Sequence, residues 1–319
     1  MPEEQITQPA GSHHRGGKTS EHDEGLSSFF SARPRLFGIA YRMLGSAAEA
    51  EDVVQDVWMR WQSTDRSVVQ DPPAFLATTT TRLCINLVQS ARSRRETYVG
   101  EWLPEPVDTA SDPTLGAERA EALELAVLVL LEKLSPAERA AYVLREAFDY
   151  SYRQIADILQ IEEANARQVV SRARKHVANG RQAPVSSDEQ SRLLRAFIDA
   201  AQTGDIAALE DLFAEDVVSY SDGGGIVHAA RVPVVGRERV AKVVGSYASH
   251  FWKGLTLAWI EANGRPSVVM YRDGTAVALA TVGASTQGIH QIMWFMRPSK
   301  LTAIAKSARA AVRQESVQK

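Results

Sequence analysis

A single cysteine in 319 residues, Cys84, rules out an intrachain disulfide and a four-cysteine zinc site. It reads as a small buried hydrophobe, and the expected compartment is a reducing cytoplasm. No apolar run approaches the roughly 20 residues that a bilayer crossing needs. Met1–Gly25 mixes Pro, Gly, acids and the pair His13-His14 and has no apolar segment, so it reads as a disordered leader rather than a signal peptide. No metal or cofactor is expected. Net charge is scarce too, at −3 from 36 basic and 39 acidic residues, which argues against a chain that grips nucleic acid by its average charge.

What the chain does have is charge placed in blocks. Arg82–Arg95 carries Arg82, Arg92, Arg94 and Arg95 before its first acid, and Arg167–Arg181 carries Arg167, Arg172, Arg174, Lys175 and Arg181 with no acid. Between them, Glu96, Glu101, Glu105, Asp108, Asp112, Glu118, Glu121 and Glu124 face a single Arg119. Phosphate contact needs concentrated local positive potential, and the two basic blocks supply it.

The length predicts more than one domain. Leu26 to about Glu96 is helical, with Val53, Val54, Val57, Trp58 and Trp61 on one stripe and acids around it. Asp71-Pro72-Pro73 starts a helix that runs into the basic end at Arg95. Residues 97–117 hold Pro104, Pro106 and Pro113 among acids with no helical period, which predicts an extended linker. Helices return over 118–182, where Ser135-Pro136-Ala137-Glu138 is a complete helix start. After a short Pro184-Val185-Ser186 linker, 187–305 reads as helices followed by a curved antiparallel sheet, with two-residue turns at Asn263-Gly264 and Asp273-Gly274. Residues 306–319 read as a tail.

Ser151–Val177 has helix-turn-helix spacing. Ile155, Ala156, Leu159, Ile161, Val169, Val170 and Ala173 would pack inward and leave Arg167, Gln168, Ser171, Arg172, Arg174 and Lys175 outward. Arg and Gln suit bidentate base reading, and Arg and Lys suit phosphates. The alternative is a helical hairpin with a solvated basic face. The acidic helix 47–61 would repel DNA, so its outer face fits a basic partner protein.

Ala48-Glu49-Ala50-Glu51-Asp52-Val53-Val54-Gln55-Asp56-Val57-Trp58 resembles the core-polymerase-binding segment of sigma-seventy-type factors of the extracytoplasmic-function group. Leu134-Ser135-Pro136-Ala137-Glu138-Arg139 and the following helix-turn-helix resemble that group's second domain. Residues 187 to about 304 resemble a SnoaL-like cone, and the combination resembles the subgroup with a fused SnoaL-like tail. Trp102-Leu103-Pro104-Glu105-Pro106 matches its linker motif. Tyr220-Ser221-Asp222-Gly223-Gly224-Gly225 matches its glycine motif, with Ile226 in place of a lysine, and Arg297-Pro298-Ser299-Lys300-Leu301 keeps the Pro, Lys and Leu of a third motif.

The resemblance implies a multidomain fold of two all-α sigma domains, the second with the helix-turn-helix, and an α+β SnoaL-like cone. It implies that Asp52, Gln55 and Asp56 dock on RNA polymerase core. Asn86, Ser90, Arg92, Arg94 and Arg95 would contact the downstream promoter element and its melted non-template strand. Arg167, Gln168, Ser171, Arg172, Arg174 and Lys175 would read the upstream element as double-stranded DNA. Trp58 and Trp61 read as core rather than melting residues. Trp102–Pro106, Asp222–Gly225, Pro298, Lys300 and Leu301 would form interdomain regulatory contacts, with Asp222 a partner for a basic sigma residue. On the residues alone, Gly223–Gly225 fits a plain hairpin end equally well. Two alternatives stay open for the tail: an isomerase- or cyclase-type enzyme, or a small-molecule sensor, with a pocket drawn from Asp222, His228, Tyr220, His250, His290, Trp252, Trp259, Met270, Met293 and Trp294. The expectation is a non-catalytic regulatory tail.

Overall fold

The computed structural model describes residues 16–95, 98–109, 123–180, 182–227 and 229–317, and side chains within these spans except 16–24, 91–95 and 309–317. The chain begins with three helices, α1 (Gly16–Leu44), α2 (Ala47–Ser63) and α3 (Pro72–Arg95). The segment read as a leader is therefore helical from Gly16 onward. Ser46 caps α2 by accepting from the Glu49 amide, and Asp71 caps α3 at Ala74 with Pro72 and Pro73 in the first turn. Val53, Val54, Val57 and Trp61 are buried against α1 and α3, so Trp61 is core, and its Nε1 donates to the Gly25 carbonyl at 2.8 Å. Trp58 is half-buried against Phe29, with ring centroids 4.7 Å apart.

The second helical unit holds α4 (Leu125–Leu131), α5 (Pro136–Tyr142) with a π turn over Val143–Ala147, α6 (Tyr152–Leu159) and α7 (Glu163–Gly180). Full capping boxes start α5 at Ser135/Glu138 and α6 at Ser151/Gln154. Gln160, at φ 55°, turns the chain from α6 into α7.

The C-terminal unit is α8 (Ser187–Thr203), α9 (Ile206–Leu212), β1 (Phe213–Asp222), β2 (Val234–Val235), α10 (Arg237–Ser246), β3 (Leu255–Ala262), β4 (Arg265–Arg272), β5 (Thr275–Ser285), β6 (Gly288–Phe295) and α11 (Pro298–Val317). Strand order is β2-β1-β6-β5-β4-β3. The sheet is mixed rather than wholly antiparallel, because β1 runs parallel to β6. Both two-residue turns form, with positive φ at Asn263, Gly264, Asp273 and Gly274. The presumed tail continues in α11, which packs on β3 and β5 and buries Ala308.

Both faces of this sheet are covered. One buries Leu194, Phe197, Val240, Met270 and Trp294 with α8–α10. The other, through Val269, Leu279, Met293 and Phe295, shares a continuous core with the two helical units, the linker and α11. The helical units also meet each other directly. Arg139 of α5, 1% exposed, donates to the Met43 carbonyl and to Glu132, each at 2.7 Å. Arg35 of α1 donates to the Phe148 carbonyl at 2.7 Å and lies 5.0 Å from the Tyr150 ring centroid. Arg82 of α3 donates from Nε to the Ile158 carbonyl at 3.0 Å.

Removing one partner of a buried ion pair leaves the rest uncompensated. Arg139→Ala is therefore expected to lower the free energy of urea unfolding by about 3–5 kcal/mol, and a loss below about 1 kcal/mol would contradict the interdomain role of Arg139.

Candidate functional site

The outer face of α2 carries Asp52, Gln55 and Asp56, all exposed and opposite the buried stripe. On α3, Asn86 and Ser90 are exposed, and Arg82, one turn before Asn86, is tied to the second helical unit. Arg92, Arg94 and Arg95 lie on the last turns of α3, and their side chains fall outside those described.

Helix α7 buries Ala166, Val169, Val170, Ala173 and Val177 and exposes Arg167, Gln168, Ser171, Arg172, Arg174 and Lys175. Three of these six are already paired. Arg167 pairs with Glu163, Arg172 Nε donates to Glu138 at 3.2 Å, and Arg174 reaches Glu146 at 2.6 Å. Ser135 holds the Glu138 carboxyl below its usual range, assisted by Arg172, and the Glu146 hydrogen bond raises Arg174. Gln168, Ser171 and Lys175 form no such pair among the described residues.

The linker does not span the helical units as a free tether. Leu103, Pro104, Glu105, Pro106 and Val107 are all buried. Asp222, fully buried at the end of β1, accepts from Tyr98 Oη at 2.5 Å through Oδ1, and from the Leu103 amide at 3.0 Å through Oδ2. Lys300 of α11 donates to the same Oδ2 at 2.6 Å and to the Leu103 carbonyl, and its Nζ lies 4.3 Å from the Trp102 ring centroid. The charged partner of Asp222 is thus Lys300 of its own domain, not a basic residue of a helical unit. A short loop explains why: the Met296 and Arg297 amides both donate to the Asp222 carbonyl, which brings the start of α11 to the end of β1.

The glycines let this loop approach the linker. At Gly224 (φ 59°) an added Cβ would lie 3.0 Å from both Tyr98 Oη and Arg297 Cδ. Arg297 lies 5.4 Å from the Tyr98 ring centroid, and Ile226 is exposed. Leu301 is buried in the core, and Pro298 opens α11.

Farther along the linker, Glu105 accepts from the Ala47 amide at 2.9 Å and from Ser46 Oγ at 3.2 Å, at the N-terminus of α2. Asn263, the β3–β4 turn residue, exchanges hydrogen bonds with Val107 and donates to Tyr41 Oη and the Leu123 carbonyl. Sequence reading took Asn263 only as a turn former. No local pattern marks a side chain that reaches 156 positions back along the chain. Tyr98, just before the linker motif, was missed for the same reason.

The inner face of the C-terminal sheet encloses a cavity of about 390 Å³. Trp252 and Trp294 line it, Asp222 does not, and Tyr220, His290 and Met293 line a separate cavity of about 240 Å³ together with Asp216 and Glu124. Met270 is core, His250 is exposed, Trp259 lies under Arg195, and His228 falls outside the described residues. Among the described lining residues of the larger cavity there is no carboxylate or imidazole.

Comparison with known proteins decides the family. Models of sigma-70 region 2 and sigma-70 region 4 match residues 29–94 and 124–177. The ECF RNA polymerase sigma factor SigJ of Mycobacterium tuberculosis is 37% identical over 239 residues, which cover 72% of this chain and 75% of SigJ. The chain belongs to the ECF RNA polymerase sigma factors. A probable ECF sigma factor of the same species, SigI, is 30% identical over 291 residues, covering 88% and 96%. The crystal structure of the Mycobacterium tuberculosis SigJ superposes with a TM-score of 0.69 at 31% identity, covering 87% of this sigma factor and 98% of that chain.

Burial, followed by the bond to Asp222, pushes the Tyr98 phenol up to about 12. A group whose folded value lies above its unfolded value, near 10, stabilises the fold fully below pH 10 and loses that contribution as pH rises toward 12. Stability measured by urea at pH 9–12 should thus fall more steeply in this sigma factor than in Tyr98→Phe. Parallel curves would show that Tyr98 does not titrate within the clasp.

Proposed function

We propose that this sigma factor binds RNA polymerase core through Asp52, Gln55 and Asp56, reads a two-part promoter with α3 and α7, and is held closed by its own C-terminal domain. The observation that carries this reading is the buried Asp222–Lys300 clasp on the linker between the two promoter-reading units. A factor that contacts two separated DNA elements must present both readers at a set spacing. Here α3 is bonded to the end of α6 through Arg82, and linker residues Leu103 to Val107 are buried. Opening requires release of the linker from Asp222, Lys300 and Asn263.

Upstream-element reading is assigned to Arg167, Gln168, Ser171, Arg172, Arg174 and Lys175, and downstream contacts and melting to Asn86, Ser90, Arg92, Arg94 and Arg95. Gln168 suits adenine, and the cations suit phosphate or guanine. The partners are core polymerase and promoter DNA, which places the factor in the cytoplasm. The tail acts without catalysis, because its one buried carboxylate in the clasp is already occupied by three donors.

The test is transcription in vitro with core polymerase. The near-isosteric double change Asp222→Asn with Lys300→Met, which weakens the hold on the linker, should lower the factor concentration for half-maximal transcription several-fold. Equal or weaker transcription would reject the closed-state reading. Separately, Lys175→Ala should weaken promoter binding evenly across sequences and reduce the salt slope by about one, whereas Gln168→Ala should relax preference at one base position. Footprinting at several salt concentrations reads both, and unchanged binding in both variants removes α7 from the interface.

A further inference from the structure

The 390 Å³ cavity lies behind the clasp strand. On β1, side chains alternate between faces. Ser219 and Ser221 line the cavity on the inner face, while Asp222 meets the linker on the other side. On the β6 side, Trp294 and Met296 also line the cavity, and the Met296 amide donates to the Asp222 carbonyl. A group seated in the cavity therefore touches two residues that flank Asp222 in the chain or bond to its backbone.

The walls define what would fit. Val227, Val234, Val244, Phe251, Trp252 and Trp294 are apolar or aromatic. The only charged lining residue described is Arg272, which is exposed and donates to the Phe251 carbonyl at 2.5 Å. Ser219 is 6% exposed and lines the cavity, and its hydroxyl makes no hydrogen bond among the described residues. Trp252, 9% exposed, carries a buried Nε1–H that is likewise unpartnered. Buried polar groups are normally satisfied, so unpartnered ones around an open apolar space mark places for a ligand's polar atom. No carboxylate lines the walls among the described residues, so a cationic ligand would be left uncompensated, and the one cation, Arg272, is exposed and donates to the Phe251 carbonyl.

We propose that this cavity binds a small, uncharged, largely apolar molecule carrying a hydroxyl or carbonyl group that bonds to Ser219, and that its occupancy alters the grip of Asp222 on the linker. The sensing half rests on the closed-state reading above. The binding half does not, so the two can fail separately.

Two probes that differ by one hydroxyl, 2-naphthol and naphthalene, test this by equilibrium dialysis against the full chain. 2-Naphthol should bind with a Kd on the order of 10–100 µM and about two- to tenfold more tightly than naphthalene. Ser219→Ala should erase that difference while leaving naphthalene binding unchanged. Ala230→Phe, on the partly exposed loop lining the cavity, should block both probes without touching the core. Absence of binding, equal affinity of the two probes for the unaltered chain, or full binding to Ala230→Phe each overturns the site. Hydrogen exchange at the Leu103 amide, which donates to Asp222, should change severalfold when 2-naphthol is bound. Binding with unchanged exchange at Leu103 overturns the sensing role, and the transcription assay of the clasp variant, which uses no probe, judges the closed state on its own.

Discussion

Asp222 and Lys300 form a buried ion pair whose free valences are spent on another part of the chain. Burying two charges is expensive, and it is tolerated only when hydrogen bonds satisfy what remains. Here the remaining capacity goes to the Tyr98 hydroxyl, the Leu103 amide and carbonyl, and the face of Trp102. The linker therefore completes the solvation of a charge pair that belongs wholly to the C-terminal domain. If the linker leaves, the pair stays together and water takes the vacant positions. What is lost is a few charge-assisted hydrogen bonds, each worth about 1.5–3 kcal/mol, rather than a separated pair of buried charges. An interaction built this way can be both specific and reversible.

The rest of the interdomain packing follows from where the clasp puts the linker. Once Leu103 is fixed, Glu105 falls at the N-terminus of α2 and Val107 falls beside Asn263. Asn263 in turn gathers Tyr41 from the first helical unit and Leu123 from the start of the second. The core that results runs through all three units, so the sheet has no solvent-facing side. That explains why β4 and β5 are buried almost continuously instead of alternating.

The electrostatics of α7 are quieter than its sequence suggests. Three of its cations are matched by Glu163, Glu138 and Glu146, two of which come from α5 and the turn after it. Exposed pairs of this kind are weak, so phosphates can compete for the same arginines. Glu138 and Glu146 stand elsewhere in the chain, and no reading of the basic block by itself would count them.

The sequence by itself determined the helical stripes, the capping boxes at Ser135 and Ser151, the helix-turn-helix, the two-residue turns and the family, because all of these are encoded within a few turns or a contiguous motif. It also marked Trp102–Pro106, Asp222 and Lys300 as belonging to one device, through motif resemblance. Only the tertiary structure decided who pairs with whom. Asp222 takes Lys300 instead of a helical-unit cation, Asn263 reaches back to Val107, β1 joins β6 in parallel, and Ser219 faces a cavity while Asp222 faces the linker. Such contacts join residues tens to hundreds of positions apart, and their partners are chosen by how the packed elements meet, which local propensity does not encode.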